Sequence, residues 1–435
     1  MVLAFAFNST ATAQQKWNLM QCVQYAMDNN IVIKQNALQT NLSELQLKQS
    51  KMGQYPNANL NNNYGLSFGR RENPATGILV DNTFFNIGLN VQTSADIFNW
   101  FSKKNTIAAN SWEVEAAKAS NDKLKNDIAL AVANAYLQIL LAREQEKIAD
   151  VQLQQSKAQL LNTRKLVNAG SLPELNAAEL EAQVARDSAN YISAKGNVEQ
   201  GLLSLKANMG FDAATAFDID TPPADKIFVE KISDLQPEAV YASAMANMPQ
   251  QRYNVFKLKA AEKTTAAAKG SMYPSLSAFG SLATSYVKPS GFDAPKILRE
   301  FNTNFGQSIG LGVSVPIFNG SNAKSAWQRS KLTIKNLQFQ KDLDNQKLKQ
   351  DIYQAYNAAV VALEKYNASK KGVETAERSY NFANKRYEIG MLTTLELLTN
   401  QNNLFRSKLE YSLNQFDYVF KMKVLEFYKG LGLKF

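Results

Sequence analysis

The chain has 435 residues, with no histidine and a single cysteine, Cys22. These counts exclude internal disulfide frameworks, zinc sites built from cysteine and histidine, and acid–base catalysis by histidine. The formal net charge is +10, but basic and acidic residues are interleaved along helical stretches, which is typical of solvated helix faces. We therefore expect no nucleic-acid partner. These counts leave pairs of catalytic carboxylates open, but nothing in the sequence places Glu174 or Glu396 in a closed pocket, and we expect no enzyme, no cofactor and no metal site.

The first residues have the character of a secretory leader. Residues 2–7 are apolar, and Ala11-Thr12-Ala13 fits the small-x-small cleavage rule of signal peptides. The positively charged start of such a leader is missing. Either the start is misplaced or the leader is truncated, and we expect residues 1–13 to be the remnant of a signal peptide, with a frayed N-terminus as the alternative. No run of 18 apolar residues occurs, so the sequence predicts no transmembrane helix.

The chain contains two copies of one structural unit. Ile97-Phe98-Asn99 recurs as Ile317-Phe318-Asn319, at an offset of 317 − 97 = 220 residues, and Gly170 and Gly390 keep this offset. Nearer the N-terminus the offset is 218. A period this long indicates two copies rather than a solenoid of short repeats. The first copy is assigned to residues 14–211, a connector wrapped around the outside of the helices to 212–234, and the second copy to 235–435.

Each copy begins with a helix and continues as a β-hairpin. Apolar residues at three- and four-residue spacings predict a helix from Trp17 to about Gly53. The period then changes to two, and this alternation predicts a two-stranded hairpin over residues 58–93. The second copy repeats the hairpin over residues 275–316, where Pro316 closes the last strand.

One face of the predicted strands is apolar and the other is small or polar, as in the wall of a membrane β-barrel. Four strands cannot close such a barrel, and open edges are not tolerated in lipid. Two copies would give eight strands and three would give twelve; the wide polar face favours three. The alternative is an amphipathic hairpin on a soluble core. We predict that Phe85, Ile87, Leu89, Val91, Ile309, Leu311 and Val313 face lipid and that Asn86, Asn90, Gln92, Ser308 and Ser314 face the lumen.

Long helical patterns with almost no glycine or proline follow each hairpin, at about Ser321–Lys385 and Thr394–Lys429 in the second copy. Gly390 lies between them, and its tolerance of positive φ lets the chain reverse there. The pattern predicts an antiparallel helical hairpin with its tip near Gly390 and another with its tip near Gly170. A run of about 65 residues would be on the order of 100 Å long, which exceeds the needs of a compact domain.

Three segments carry a family resemblance. The tip Gly390-Met391-Leu392-Thr393-Thr394-Leu395-Glu396-Leu397-Leu398-Thr399-Asn400-Gln401 resembles that of the TolC-like outer-membrane efflux proteins, and Val315-Pro316-Ile317-Phe318-Asn319-Gly320 resembles their strand exit. Trp17–Asn30 and its partner Leu235–Pro249 are similar to their opening helix. The resemblance implies a mainly α, internally duplicated chain with a membrane β-barrel part. Its long hairpins would form an α-helical barrel, and its four strands would contribute to a shared 12-stranded trimeric barrel.

The resemblance also implies a function. The chain would be the outer-membrane channel of a tripartite efflux system, with a large periplasmic portion. A homotrimer would form a passive exit duct for small molecules, a periplasmic adaptor would contact the tips, and an inner-membrane pump would supply the energy. The chain has no Gly-x-x-x-x-Gly-Lys phosphate loop of its own. The alternatives are the exit duct of a type I protein secretion system and a structural coiled-coil protein.

The resemblance places a gate at the hairpin tips. Tyr387 matches the family's aperture tyrosine, and Glu396 matches an acid that can form a ring of negative charge on the pore axis, with plain helix surface as the alternative. A family latch of arginine and acid is replaced here by Leu392 and Asn176. Closure is therefore expected to depend on Tyr387 and on apolar packing of Leu172 and Leu392. Adaptor contacts are assigned to the turn residues Asn168, Ala169, Gly170, Ser171, Gly390, Met391 and Thr393.

Overall fold

The computed structural model describes residues 16–72, 77–222, 227, 229–290 and 296–430. The predicted leader remnant, residues 1–13, lies outside these ranges. The elements in chain order are α1 (Leu19–Asn29), α2 (Ile31–Met52), β1 (Asn57–Glu72), β2 (Leu79–Phe98), α3 (Ser102–Asn168), α4 (Glu174–Met209), α5 (Pro237–Asn247), α6 (Pro249–Gly270), β3 (Ser275–Pro289), α7 (Ile297–Thr303), β4 (Gly306–Ser314), α8 (Asn322–Glu388) and α9 (Thr394–Lys429). None of the helices in these ranges has the length and apolarity that crossing a membrane would require.

The duplication seen in the sequence recurs in the lengths of the helices. Helices α3 and α8 both have 67 residues, and α4 and α9 both have 36. Helices α1 and α5 both have 11 residues, and α2 and α6 both have 22. The two copies therefore fold into the same helices at the offsets of 218 and 220 residues.

The single helix predicted from Trp17 to Gly53 is wrong, because Asn30 divides it into α1 and α2. The backbone of Asn30 is extended, with φ −60° and ψ 125°. Its side-chain oxygen accepts a hydrogen bond from the backbone N–H of Val32 at 2.8 Å, and its amide donates to the carbonyl of Asn208 at 2.9 Å. An asparagine that caps the next helix in this way interrupts the helix, although the spacing of apolar residues in the sequence continues through it.

The four strands form one antiparallel sheet in the order β1-β2-β3-β4. Strand β2 is the longest, and it has a β-bulge between Asp96 and Phe98 where it pairs with β3. Strand β4 ends at Ser314, two residues before Pro316. Among the described residues, β1 pairs only with β2 and β4 only with β3, so each leaves one edge of the sheet unpaired.

The chain divides into two compact units, one of which comprises residues 1–38, 119–252 and 341–435 as far as they are described. Its larger core surrounds Tyr136, which is buried and donates a hydrogen bond from its hydroxyl to the carbonyl of Asp220 at 2.6 Å. The connector residues Phe217 and Ile219 are buried in this core. A smaller core surrounds Ile352 in the equivalent part of the second copy.

The other unit comprises residues 39–118 and 253–340 and contains the sheet. The turn between β2 and α3 is attached to the end of α6 within this unit: the Ser102 hydroxyl donates to the carbonyl of Ala267 at 3.0 Å. Trp112 of α3 stacks on Phe256 of α6 with ring centroids 5.6 Å apart. Helix packing in this unit therefore continues up to the base of the strands.

Candidate functional site

Both helical hairpins reverse through the same glycine turn. Gly170 and Gly390 have φ of +73° and +75°. The Gly390 N–H donates to the carbonyl of Tyr387 at 2.9 Å, and the Met391 N–H to that of Arg386 at 2.8 Å, with the same two bonds at the first tip. This is the Schellman arrangement, in which glycine ends a helix without steric cost. The residues predicted to contact an adaptor are all exposed: Asn168, Ala169, Gly170, Ser171, Gly390, Met391 and Thr393.

The second tip has a side-chain cap that the first one lacks. The Thr393 hydroxyl accepts a hydrogen bond from the Glu396 N–H at 3.3 Å, and the Glu396 carboxylate accepts from the Thr393 N–H at 3.0 Å and its hydroxyl at 2.8 Å. The hydrogen bond from the backbone N–H of Thr393 is the main cause of the lowered pKa of Glu396, and the bond from the Thr393 hydroxyl is the second cause. Helix α4 instead begins after Pro173, with no side-chain cap. The capping box gives Glu396 a local structural role.

Tyr387 connects the two hairpins. Its hydroxyl lies 3.0 Å from the hydroxyl of Thr163 on α3, and Thr163 is only 1% exposed. Leu172, Asn176 and Leu392 are half-buried, but among the described residues Tyr387 forms no hydrogen bond with Asn176. The partner of the tyrosine is therefore a neutral side chain, which the sequence did not predict because the two residues are far apart in the chain.

Further bonds join the hairpins on the side of Tyr387 away from the tips. The Gln159 amide donates to the Tyr380 hydroxyl at 3.0 Å, and burial raises the pKa of Tyr380. Beyond it the Ser156 hydroxyl donates to the Asp187 carboxylate at 2.5 Å and accepts from the Gln401 amide at 3.0 Å. Ser156, Asp187 and Gln401 lie on α3, α4 and α9 respectively, and all three are buried. Since a buried polar group costs free energy unless it is paired, this network favours one alignment of the helices.

The register of the sheet places the predicted lipid-facing residues on one face. Val91 lies between Leu60 and Leu282, and Phe85 lies opposite Leu66. On β4, Ile309 is 92% exposed and Leu311 68%. The other members of the set share this face: Ile87, Leu89 and Val313. Ile87 and Leu89 are half-buried, and Tyr286, which lies opposite Ile87, is buried. Large apolar side chains left exposed on one face of a sheet are typical of a surface that contacts a partner or a membrane.

The opposite face is polar and hydrogen-bonded across strands. The Asn86 amide donates to the Ser67 hydroxyl at 2.5 Å, and the hydroxyls of Ser281 and Ser308 lie 2.9 Å apart. Two phenylalanines interrupt this face: Phe84 is buried, which the alternation did not predict, and Phe279, opposite Ser94 and Gly310, is 47% exposed. The remaining residues predicted to face the lumen, Asn90, Gln92 and Ser314, lie on the same face. Among the described residues, no cluster of three or more acidic or cysteine side chains could hold a metal ion.

The model of one family matches most of the chain. Its description is outer membrane efflux protein, and it matches residues 22–210 and again residues 240–422. The chain is 24% identical to the outer membrane efflux protein BepC of Brucella suis over 78% of this chain and 70% of BepC. It is 21% identical to the outer membrane protein TolC of Salmonella enteritidis over 99% of this chain and 85% of TolC.

The fold has a close counterpart among solved structures. A crystal structure of CusC superposes with a TM-score of 0.80 at 16% sequence identity, covering 96% of this chain and 92% of that one. The two matched segments of the family model fall in the two copies of the duplicated unit.

Proposed function

The chain belongs to the outer membrane efflux protein family, and we propose that it is the passive exit duct of a tripartite efflux system, closed by three copies of the chain. Small molecules would enter at the hairpin tips from an inner-membrane pump and leave through a barrel in the outer membrane. The tips would be contacted by a periplasmic adaptor. The chain would supply the conduit, and the pump would supply the energy.

The observation that carries this proposal is the sheet, which combines an exposed apolar face with two edges unpaired among the described residues. In lipid every backbone N–H and C=O group must be satisfied, so an open edge there would cost several kcal/mol per group. Pairing β4 of one copy with β1 of the next satisfies both edges at once. Three copies then give a barrel of about twelve strands with the polar face lining the lumen.

The contacts at the tips support a gate in this region. In the closed state Tyr387 would hold α8 against Thr163 of α3, and opening would break this bond as the second hairpin moves away from the first. Leu172 and Leu392 would add apolar packing beside it. Glu396 would project negative charge toward the axis only when its carboxylate leaves the Thr393 cap. The barrier to opening is therefore proposed to consist of neutral hydrogen bonds and apolar contacts.

A pair of matched substitutions on β4 tests the wall. Ile309→Asp puts a charge on the apolar face, while Ser308→Asp puts the same charge on the polar face one residue away. We expect Ile309→Asp to lower the yield of assembled protein in the outer membrane, since a charged side chain on the lipid-facing side of a strand is destabilising, although Asp costs less than the roughly 2–4 kcal/mol of Arg or Lys at the bilayer midplane. Ser308→Asp should assemble normally and increase the cation selectivity of the reconstituted pore. Equal effects of the two substitutions would contradict the assignment of the faces.

Deletion of the gene distinguishes an exit duct for small molecules from one for secreted proteins. Cells that lack the chain should become sensitive to a panel of toxic small molecules, and the wild-type gene should restore resistance. Loss of a secreted protein with unchanged resistance would instead identify the chain as a protein secretion duct.

A further inference from the structure

A cavity lies between the two helical hairpins, beyond the hydrogen bond of Ser156 with Gln401 on the side away from the tips. Its volume is about 310 Å³, the space of about ten water molecules and within the range of small-molecule sites. Its walls are formed by α3 and α9, and α8 contributes Val373. The cavity is therefore bounded by one helix of the first hairpin and both helices of the second.

Two buried polar side chains in the wall have no partner in the described part of the chain. Gln152 on α3 is 5% exposed, and Ser412 on α9 is 2% exposed. Neither the amide nitrogen Nε2 of Gln152 nor the hydroxyl oxygen of Ser412 has a hydrogen-bond partner among the described residues. Burial of a polar group without a partner costs free energy, and most such groups in folded proteins are paired. Two of them lining one cavity indicate a bound molecule that pairs with both.

The alignment of α3 with α9 gives the spacing of these two groups. The helices run in opposite directions, and Ser156 is bonded to Gln401. At a rise of about 1.5 Å per residue, Gln152 lies about 6 Å from this bond along the axis and Ser412 about 16 Å. The glutamine end and the serine end of the cavity are therefore about 10 Å apart along the helices.

Much of the remaining wall is apolar. It consists of Ile148 and Val151 on α3, Val373 on α8, and Leu404 and Phe405 on α9. Hydrocarbon that enters such a cavity gains free energy roughly in proportion to the apolar area that leaves water. The middle of the bound molecule is therefore expected to be an aliphatic chain.

The charges in the wall distinguish the two ends. Lys408 lies about 4 Å along the axis from the glutamine end and contacts Glu377 at 3.8 Å, so its ammonium keeps further donors. Near the serine end, Lys147 and Glu144 are one turn apart on α3 and have opposite charges that offset each other. An amide nitrogen can only donate, whereas a hydroxyl can donate and accept. A carboxylate therefore suits the glutamine end, and a hydroxyl suits the serine end.

We propose that this cavity binds an unbranched aliphatic carboxylate with a hydroxyl group at its far end. The carboxylate accepts hydrogen bonds from the Gln152 amide and from Lys408, and the hydroxyl pairs with Ser412. An extended chain of about eight carbons spans the distance of about 10 Å between the two groups, given carbon–carbon bonds of about 1.5 Å.

Occupation of the cavity also has a consequence for the gate. A molecule in this position contacts both hairpins, so it binds their packed arrangement in preference to a separated one. The packed arrangement is the closed state of the proposed duct, and the bound carboxylate therefore opposes opening. This consequence rests on the proposed function, whereas binding itself does not.

Calorimetric titration with 8-hydroxyoctanoate tests the site in the full-length protein, reconstituted in lipid nanodiscs, with protein-free nanodiscs as the blank. Octanoate, which lacks the hydroxyl, should bind about fivefold more weakly, as expected for one neutral hydrogen bond. 4-Hydroxybutyrate is too short to reach both ends and should show no measurable binding. Heat from 8-hydroxyoctanoate no greater than that of the blank would overturn the site, because the cavity would then hold only water.

Substitutions at the two ends test which groups bind. Gln152→Leu should weaken binding of 8-hydroxyoctanoate at least about tenfold, since it removes a hydrogen bond to a charged group. It should not lower the thermal unfolding temperature, because the lost amide nitrogen has no partner among the described residues. Gln154→Leu, at an exposed position of the same helix, is the control and should bind normally. Unchanged binding in Gln152→Leu would overturn the site.

Ser412→Ala tests the orientation of the bound molecule. This variant should bind 8-hydroxyoctanoate and octanoate with equal affinity, because the partner of the hydroxyl is gone. A preference for 8-hydroxyoctanoate as large as that of the parent chain would contradict the assignment of the serine end.

A single cysteine at the mouth tests access to the cavity. Val151 is 46% exposed, and Val151→Cys in a chain that carries Cys22→Ser should react with a charged maleimide. Saturating 8-hydroxyoctanoate should slow this reaction. Absence of labelling without the carboxylate would show that a neighbouring copy covers the mouth, and it would overturn the site.

Single-channel recording separates the site from the proposed function. With 8-hydroxyoctanoate at ten times its Kd, the open probability should fall at least about tenfold, because each site that binds only the closed state shifts the equilibrium by 1 + [L]/Kd. It should be unchanged in Gln152→Leu. Binding with no change in open probability would contradict the effect on the gate and retain the site. Binding by a chain that forms no conducting pore would contradict the proposed function and not the site.

Discussion

The hydrogen bond between Tyr387 and Thr163 gives the sharpest prediction about the gate. Tyr387→Phe removes one hydroxyl from a pair whose oxygens lie 3.0 Å apart and leaves the aromatic ring in place. In the proposed mechanism this bond exists in the closed state and is absent in the open state. The substitution should therefore destabilise only the closed state.

The size of the effect follows from the number of bonds. A neutral hydrogen bond contributes about 1 kcal/mol net, and three copies of the chain would lose about 3 kcal/mol together. A change of about 3 kcal/mol shifts an equilibrium between closed and open states by about 150-fold. Because Thr163 is buried, leaving its hydroxyl without a partner adds to this loss rather than reducing it.

Single-channel recording in planar bilayers measures the shift as open probability at fixed voltage. Thr163→Val should have an effect similar to that of Tyr387→Phe, and the double variant should have no further effect, since both remove one bond. Tyr191→Phe is the control, because Tyr191 lies on α4 and, within the part of the chain that the structure describes, its hydroxyl makes no hydrogen bond to the other hairpin. An unchanged open probability in Tyr387→Phe, or simple addition of the two single effects, would refute the role of this bond.

Three further predictions concern stability and reactivity. Gly270→Ala should lower the free energy of unfolding by about 1–3 kcal/mol, since its Cβ would meet backbone at 2.8 Å; Gly372→Ala, where that space is open, should raise it by about 0.5–1 kcal/mol in a thermal melt. The pKa of Glu396 is lower in the folded state than in the unfolded state, so the stability that its carboxylate contributes is present above the unfolded pKa and is lost as pH falls through the folded pKa. Hydrogen exchange at the second tip should therefore accelerate, relative to the first tip, as pH falls through the folded pKa. Glu396→Gln should remove this pH dependence. Burial raises the pKa of Cys22 to about 12, so iodoacetamide at pH 8 should modify it only after denaturation, and labelling of the folded chain would contradict this.

The long-range pattern of the fold could be predicted from the sequence because its signals are local and occur twice. Each glycine turn is marked by one residue that tolerates positive φ between two long helical patterns, and Gly390 lies where α8 ends. The alternation from Phe85 to Val91 gave the two faces of β2, since the side-chain period of a strand is two.

The details that the sequence left out depend on contacts across the fold. Asn30 divides a helix whose apolar spacing runs through it, and only its bond to the carbonyl of Asn208 explains the break. Thr163 carries no local sign of pairing with Tyr387, because the two are joined only when the hairpins pack. Phe84 is buried on the polar face, and alternation along one strand gives only the face of a residue, not its burial.

The account depends most on the claim that neighbouring copies close the wall by pairing β4 with β1. Disulfide cross-linking tests it directly in a chain that carries Cys22→Ser, one cysteine substituted along β1 and one along β4, scanned over register in outer membranes. The account predicts covalent dimers and trimers and no larger species, with the highest yield in a single register. Cross-links that form only within one chain, or a conducting pore that remains monomeric, would contradict it.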